Sequence, residues 1–304
     1  MPVLSEEDLG FLKAYVEKTF HVAAQHADLF AQRSNRPYYP LNDGWGLTYL
    51  STGQPFFVNT EDRNITPWIL MGGHWETNVD RILCAYVKPG MRVLDIGANM
   101  GYYAVKLGTK VGPGGTLIAF EPNPEVYDVC VENLKINGLT GHAKVLRLAL
   151  GDRAGSATLT RSRSNMASAN LLADQDADVS FEVEVATLDA CLGEAAPVDL
   201  IKLDAEGYES FILKGAAQTL ARSPSCAVMI ELGLDRWERH STLVELVPLC
   251  GGNGRELYAV HDDGTLEHFT GDLRAFLRTR PYQENYFLVA RPSEVQLHVA
   301  DLLR

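Results

Sequence analysis

The stretch VLDIGANMG, residues 93–101, decides the fold. An apolar run carries an acid, Asp95, near its end, and glycines then open a turn into a helix. Gly97 and Gly101 have no Cβ, so the backbone there can come close to a ligand. From Met91 onward, apolar strand-like runs alternate with amphipathic helices. The predicted strands are Arg92–Ile96, Thr116–Glu121, Lys144–Leu150, Val198–Asp204 and Ala227–Leu232, with two more at Glu256–Val260 and Tyr286–Ala290. Such alternation predicts an α/β fold with a mostly parallel sheet covered on both faces. Asn123 is placed to cap a helix with Pro124 at its first position. Tyr127, Cys130, Val131 and Leu134 then share one face, and Gly138 ends the helix. A further helix is predicted over Tyr208–Leu220.

Upstream of this unit the chain changes character. Leu9, Leu12, Val16 and Phe20 recur at helical spacing behind a start at Ser5, Glu6, Glu7 and Asp8. Residues 36–65 are rich in Pro, Gly, Asn, Tyr and Trp, with strand-like pieces at Trp45–Leu50 and Pro55–Val58. A helix is predicted over Glu76–Val87. The division expected is an N-terminal extension, 1–88, and a main domain, 89–304, with an insertion at 151–190. Inside the insertion, Ala157–Thr160 and Phe181–Val185 read as strands. The polar run Ser162–Asp178 between them is of a length uncommon in loops unless they are functional or mobile.

Composition narrows the function. The chain has 304 residues, 46% hydrophobic and 22% charged, and a net charge of −12. Those fractions are ordinary for a folded protein. The acidic balance argues against nucleic acid, which calls for a basic stripe. No apolar run of about 18 residues is present, which predicts no membrane span. Met1–Gly10 is acidic and lacks an apolar core, which predicts no secretory signal. The 5 cysteines are scattered and odd in number, as expected for reduced thiols in a cytoplasmic protein.

The ligand is read from two motifs together. AFEP, residues 119–122, puts Glu121 at the end of the second strand, where an acid can accept hydrogen bonds from the two hydroxyls of a ribose. The turn after the first strand is G-A-N-M-G rather than G-x-G-x-x-G, so one cue for a pyrophosphate is missing. Asp95 would repel a pyrophosphate but suits a cation such as S-adenosylmethionine. A methyltransferase is therefore favoured over a nicotinamide dehydrogenase.

With these residues stated, the chain resembles the FkbM-type family of class I S-adenosylmethionine-dependent methyltransferases over roughly residues 60–235. The likeness rests on VLDIGANMG (93–101), AFEPNP (119–124), IKLDAEGYE (201–209), LKGA (213–216), VMIEL (228–232) and an upstream GGHWE (72–76). It implies a Rossmann-like class I methyltransferase fold, a seven-stranded sheet with the last strand antiparallel. It also implies methyl transfer to a hydroxyl of a sugar, glycoside or other bacterial natural product, leaving S-adenosylhomocysteine as product. Carried over position by position, Asp95, Gly97, Asn99 and Gly101 would form the turn around the amino-acid part of the cofactor. Glu121 would hold the ribose, Pro122 and Asn123 would flank the adenine, and Ala149 would meet its edge. Asp152 is a candidate for the adenine amino group, or a plain turn acid. Asp204 would face the methyl group, and Glu76 would reach the cofactor carboxylate region or the mouth of the pocket, or is a plain acid at a helix N-terminus.

An alcohol needs a base as it attacks a methyl donor. Asp204 and Glu206, two apart in an extended segment, share a face after the fourth strand. Glu206 reads either as base or substrate binder, or as cap of the following helix. Glu231, ending the fifth strand, reads as cleft acid or as a buried partner of Lys202 or of an arginine. His74 reads as base or as a loop residue bonded to backbone. Asp204 and Glu206 could hold a divalent metal, but no third ligand is placed and metal dependence is not favoured. Asp262-Asp263-Gly264 reads as a hairpin turn. Tyr38, Tyr39, Trp45, Tyr49 and Trp68 could line a substrate pocket or pack the extension. An N-methyltransferase, or less readily a non-catalytic cofactor-binding protein, remains as alternative. The first helix can pack on its own domain or on a second subunit.

Overall fold

The chain is described from a computed structural model. The structure describes residues 36–41, 44–161, 169, 171, 179–233, 255–269, 271–272, 275, 278–279, 284–289 and 300–302. The expected helix over Leu9–Phe20 and most of the 162–178 run lie outside the described residues.

In chain order the strands are β1 (Tyr39–Pro40), β2 (Trp45–Tyr49), β3 (Pro55–Asn59), β4 (Arg92–Ile96), β5 (Thr116–Phe120), β6 (Ala143–Leu146), β7 (Ala149–Leu150), β8 (Gly155–Arg161), β9 (Val179–Ala186), β10 (Leu200–Leu203), β11 (Ala227–Leu232), β12 (Glu256–Val260), β13 (Leu266–His268) and β14 (Glu284–Val289). The helices are α1 (Thr66–Gly72), α2 (Thr77–Tyr86), α3 (Tyr102–Val111), α4 (Pro124–Ile136), α5 (Leu188–Leu192), α6 (Glu209–Lys214) and α7 (Ala217–Arg222).

The large sheet runs β13-β12-β14-β11-β10-β4-β5-β6. β6, β5, β4, β10 and β11 are parallel neighbours, and β14 is antiparallel to both β11 and β12. The order reverses between β4 and β10, which puts the switch point, and so the expected ligand crevice, at the carboxyl ends of those two strands. Side chains alternate across the sheet. Val93 faces one core, with α2, α3 and α4, while Leu94 and Ile96 face the other, with α5, α6 and α7. Ile201 and Leu203 join that second face, so Lys202 lies on the first.

Asn123 caps α4 as expected, its side chain accepting from the Glu125 amide at 3.0 Å with Pro124 at the first position. The β1–β2–β3 meander belongs to the same apolar core as the main sheet, because Leu50, Phe56 and Val58 pack with Val79, Tyr103 and Leu107. Asn133 of α4 fastens it. Its carbonyl accepts from the Phe57 amide at 2.7 Å, and its NH2 donates to the carbonyls of Phe57 at 3.1 Å and Met100 at 2.8 Å.

Three details differ from the expectation. The third strand is cut in two: β6 stays in the large sheet, while β7 leaves it and pairs parallel with β9, which pairs antiparallel with β8. The helix over Tyr208–Leu220 is two helices, α6 and α7. The Gly215 carbonyl accepts from the Asp189 amide at 2.9 Å instead of continuing the helix, and the Asp189 carboxylate then receives the Gln218 and Thr219 amides. A Cβ on Gly215 would collide with the Gly151 carbonyl. Finally, the hairpin turn expected at Asp262–Gly264 is present and joins β12 to β13, and the sheet thereby has eight strands rather than seven.

Candidate active site

A cavity opens at the carboxyl ends of β4, β5, β10 and β11. It is lined by Gly97, Ala98 and Asn99 after β4, Glu121 and Pro122 after β5, Asp204, Ala205 and Glu206 after β10, and Glu231 in β11. Leu148, Ala149 and Leu150 close one wall, with Leu159 of β8 and with Ala169 and Leu171 from the 162–178 run. Phe56, Ile65, Trp75 and Glu76 come from the N-terminal part. Among the described residues, the lining carries five carboxylates (Glu76, Glu121, Asp204, Glu206 and Glu231) and one ammonium, Lys202.

The glycines of the first motif are required by the protein itself. Gly97 has φ +79°, and a Cβ there would strike the carbonyl oxygen of Asp204. The two loops that carry the motif acids are therefore in backbone contact. Gly101 has φ +89°, and its Cβ would meet the Cys130 sulfur at 2.7 Å, so it serves the packing of α3 on α4. Gly101 is not among the lining residues.

Glu121 links the two halves of the nucleotide-type motif. Its Oε2 accepts from the Asn99 amide at 2.7 Å and its Oε1 from the Asn123 amide at 2.8 Å. Burial raises its pKa to about 7, and the two amides oppose that rise. Each oxygen keeps a lone pair for a further donor.

Backbone strain concentrates here. Among the described residues, the non-glycine residues with positive φ are Glu76 (+43°), Asn99 (+51°) and Glu206 (+54°). All three line the cavity. Each such residue costs of order 1–3 kcal/mol, and such residues cluster at active sites and ligand clamps.

The turn after β10 is held by Glu209, a residue to which the sequence reading assigns no role. Its Oε1 accepts from the amides of Ala205 at 2.9 Å and Gly207 at 3.1 Å. Burial lifts Glu209 to about 7, against those two amides. Glu209 thus holds the turn ahead of α6, whose N-cap residue Tyr208 makes no side-chain capping bond, and Glu206 lines the cavity.

Lys202 sits beneath these acids. It is 4% exposed. Its Nζ donates to Asp204 Oδ2 at 2.9 Å and lies 5.1 Å from the centre of the Tyr103 ring. The Tyr103 hydroxyl donates to Glu76 Oε2 at 3.1 Å, and Asn285 donates to Glu76 Oε1 at 3.4 Å. Burial and then Asp204 raise Glu76 to about 7, while Lys202 pulls it down. Burial first, then the negative charges of Asp204, Glu206, Glu76 and Glu209, push Glu231 well above the carboxylate range. From sequence alone Lys202 is legible only as a partner for Glu231. A charged residue flanked by apolar neighbours inside a buried strand was the signal available.

Several expected positions lie elsewhere. Asp95 is 0% exposed and does not line the cavity. It lies one layer below, in register beside Lys202, and burial raises it to about 6 against the pull of that ammonium. Asn123 is buried as the α4 cap, and Asp152 is exposed on the surface; neither is a lining residue. His74 is also outside the lining, with its ring against Gly72. Tyr38, Tyr39, Trp45, Tyr49 and Trp68 do not line the cavity; Phe56 and Trp75 do. Among the described residues, no group of three or more His, Cys, Asp or Glu side chains is arranged to hold a metal ion, and no helix is long and apolar enough to cross a membrane.

The strand order, with one antiparallel strand between the fifth and sixth, and the carboxylate at the tip of the second define the class I methyltransferase fold. The profile of the Methyltransferase FkbM domain matches residues 95–284, more than half of the chain, and the chain belongs to that family. It is 29% identical over 154 residues to Methyltransferase sdnD of Sordaria araneosa, covering 40% of this chain and 59% of that one. It is 27% identical over 170 residues to the hexuronic acid methyltransferase AglP of Haloferax volcanii, covering 55% and 67%. With the 2-O-methyltransferase NoeI of Sinorhizobium fredii it shares 26% over 163 residues, 47% and 64%. The chain thus matches 59% of the first of these relatives and little more of the others.

Proposed function

We propose that this protein is an S-adenosylmethionine-dependent O-methyltransferase acting on a hydroxyl of a small acceptor, a sugar, glycoside or related natural product. The observation that carries the reading is the placement of all three left-handed non-glycine residues among the described ones, Glu76, Asn99 and Glu206, on one acid-lined cavity at the sheet's switch point. The residues present fit the cofactor. Glu121 has lone pairs for two ribose hydroxyls, Pro122 and the apolar wall of Leu148, Ala149 and Leu150 suit a flat ring, and the carboxylates suit a net cation. The names of AglP and NoeI, a hexuronic acid and a 2-O-methyltransferase, favour a carbohydrate hydroxyl.

When bound, S-adenosylmethionine supplies a methyl group on a positively charged sulfur. Glu121 and the Asn99 turn hold the nucleoside side, and Gly97 keeps the β4 loop against the Asp204 backbone. Asp204, fixed by Lys202, orients the reacting end. Glu206, held out into the cavity by the Glu209-clamped turn, takes the proton from the acceptor hydroxyl. Glu231, crowded by like charges, is an alternative holder of that proton. Phe56, Ile65 and Trp75 exclude water from the reacting atoms.

The reading is tested by calorimetry with S-adenosylhomocysteine, followed by transfer of labelled methyl from S-adenosylmethionine to a panel of neutral and acidic glycosides. Micromolar binding and label on a hydroxyl are expected. Absence of cofactor binding to the full chain would reject it.

A further inference from the structure

We propose that Lys202 is a positioning residue whose buried ammonium orients two carboxylates of the cavity lining, Asp204 directly and Glu76 through the ring of Tyr103. The inference rests on the cofactor-binding reading above.

Four elements meet around this ammonium. β10 supplies Lys202 itself and Asp204, two residues on and on the same face, at 2.9 Å. β4 supplies Asp95, the register partner of Lys202. α3 supplies Tyr103, whose ring takes the cation on one face at 5.1 Å while its hydroxyl donates to Glu76. The turn before α2 supplies Glu76, in the left-handed conformation. Glu121 of the β5 loop also feels this cation, and β11, paired with β10, brings Glu231, whose charge acts on Asp204 and Glu76. A lysine buried this deeply keeps its charge only because carboxylates surround it. The dependence runs both ways. Without the cation, Asp204, Asp95 and Glu76 would face one another unscreened, and they would take up protons or swing apart. A cation–π contact adds direction to the arrangement, since it fixes the ring that holds Glu76. One side chain therefore couples the strand that ends in Asp204 to the N-terminal segment that carries Glu76.

The test measures the affinity of S-adenosylmethionine and S-adenosylhomocysteine across pH by calorimetry, on the wild type, Lys202→Met, Lys202→Arg and Tyr103→Phe. In the wild type, affinity for S-adenosylmethionine rises as the cavity acids ionise. Lys202→Met is expected to move the midpoint of that rise upward by about one pH unit and to weaken binding roughly tenfold near neutrality, with recovery at alkaline pH. The loss is expected to be smaller for S-adenosylhomocysteine, which lacks the sulfonium. Lys202→Arg keeps the charge and is expected to keep the wild-type midpoint. Tyr103→Phe removes only the hydroxyl and is expected to shift the midpoint in the same direction, less far, so it carries the test if Lys202→Met does not fold. An unchanged midpoint in Lys202→Met or, where that variant does not fold, in Tyr103→Phe overturns the proposal, as does a Lys202→Arg midpoint displaced as far as that of Lys202→Met. A wild type that binds neither ligand removes the underlying reading instead, and the inference with it.

Discussion

The carbonyl oxygen of Asp204 occupies the space a β-carbon on Gly97 would fill. The glycine that opens the first motif and the acid that ends the fourth strand are thus a single steric unit. Gly97→Ala is expected to destabilise the fold by about 1–3 kcal/mol from left-handed strain alone, and by more from the collision. The variant should melt lower and lose S-adenosylhomocysteine binding. A melting curve and a calorimetric titration matching the wild type would show that the two loops can part without cost.

Glu206→Gln keeps the size of the side chain and removes its basicity. Turnover of a hydroxyl acceptor should fall by about 10²–10⁴-fold, with cofactor affinity and melting temperature little changed. Comparable turnover in the Gln variant would transfer the proton-accepting role to another acid, Glu231 first.

Glu209→Ala attacks the same turn from behind. It leaves the amides of Ala205 and Gly207 without their acceptor, at about 1–3 kcal/mol for a buried group. Unlike Glu206→Gln, it should lower the melting temperature as well as turnover. Finding the melt unchanged would mean that water replaces the carboxylate.

Glu76 and Glu121 are each raised to about 7 in the folded chain, chiefly by burial, from an ordinary value of 4.5. A carboxyl raised on folding favours the native state while it is protonated in both states. That contribution is present below about 4.5 and is lost as pH climbs through about 7. The ligand-free protein should therefore melt a few degrees lower at pH 8 than at pH 5.5. Affinity for the cationic cofactor runs the other way and should strengthen across the same interval. Thermal melts with and without S-adenosylmethionine at the two pH values check both signs; a gap between them that narrows with rising pH contradicts the assignment.

Asn133→Leu removes the bonds from α4 to Phe57 and to the Met100 carbonyl. Orphaned backbone groups cost about 1–3 kcal/mol each when buried. Proteolysis or hydrogen exchange should show β2 and β3 opening ahead of the main sheet. Uniform loosening of the whole chain would argue against a separate clasp.

Periodicity made the main sheet readable: β4, β5, β10 and β11 are short apolar runs with acids at or beyond their ends, and their backbone bonds follow from that pattern. Glu121 and Asp204 were readable for the same reason, since a strand end on a parallel sheet faces the crevice. What escaped depends on contacts distant in sequence. Gly97 reads as a ligand-approach glycine until Asp204, on another strand, is brought beside it. The break at Gly215 needs the Asp189 amide and the Gly151 carbonyl. Asp95 reads as a cofactor contact, but alternation along β4 turns it toward α3 and buries it next to Lys202. The left-handed backbone of Glu76 carries no mark in composition, because glutamate is not a residue that favours it.

The departure of β7 from the large sheet has a consequence for how acceptor choice can diverge. Ala149 and Leu150 belong to the cavity wall and are hydrogen-bonded to β9. The inserted β8–β9 ribbon is therefore built onto this side of the crevice as a cornice on a wall. Sequence drift at its far end can remodel the rim, while the ladder at its root keeps the apolar wall in register.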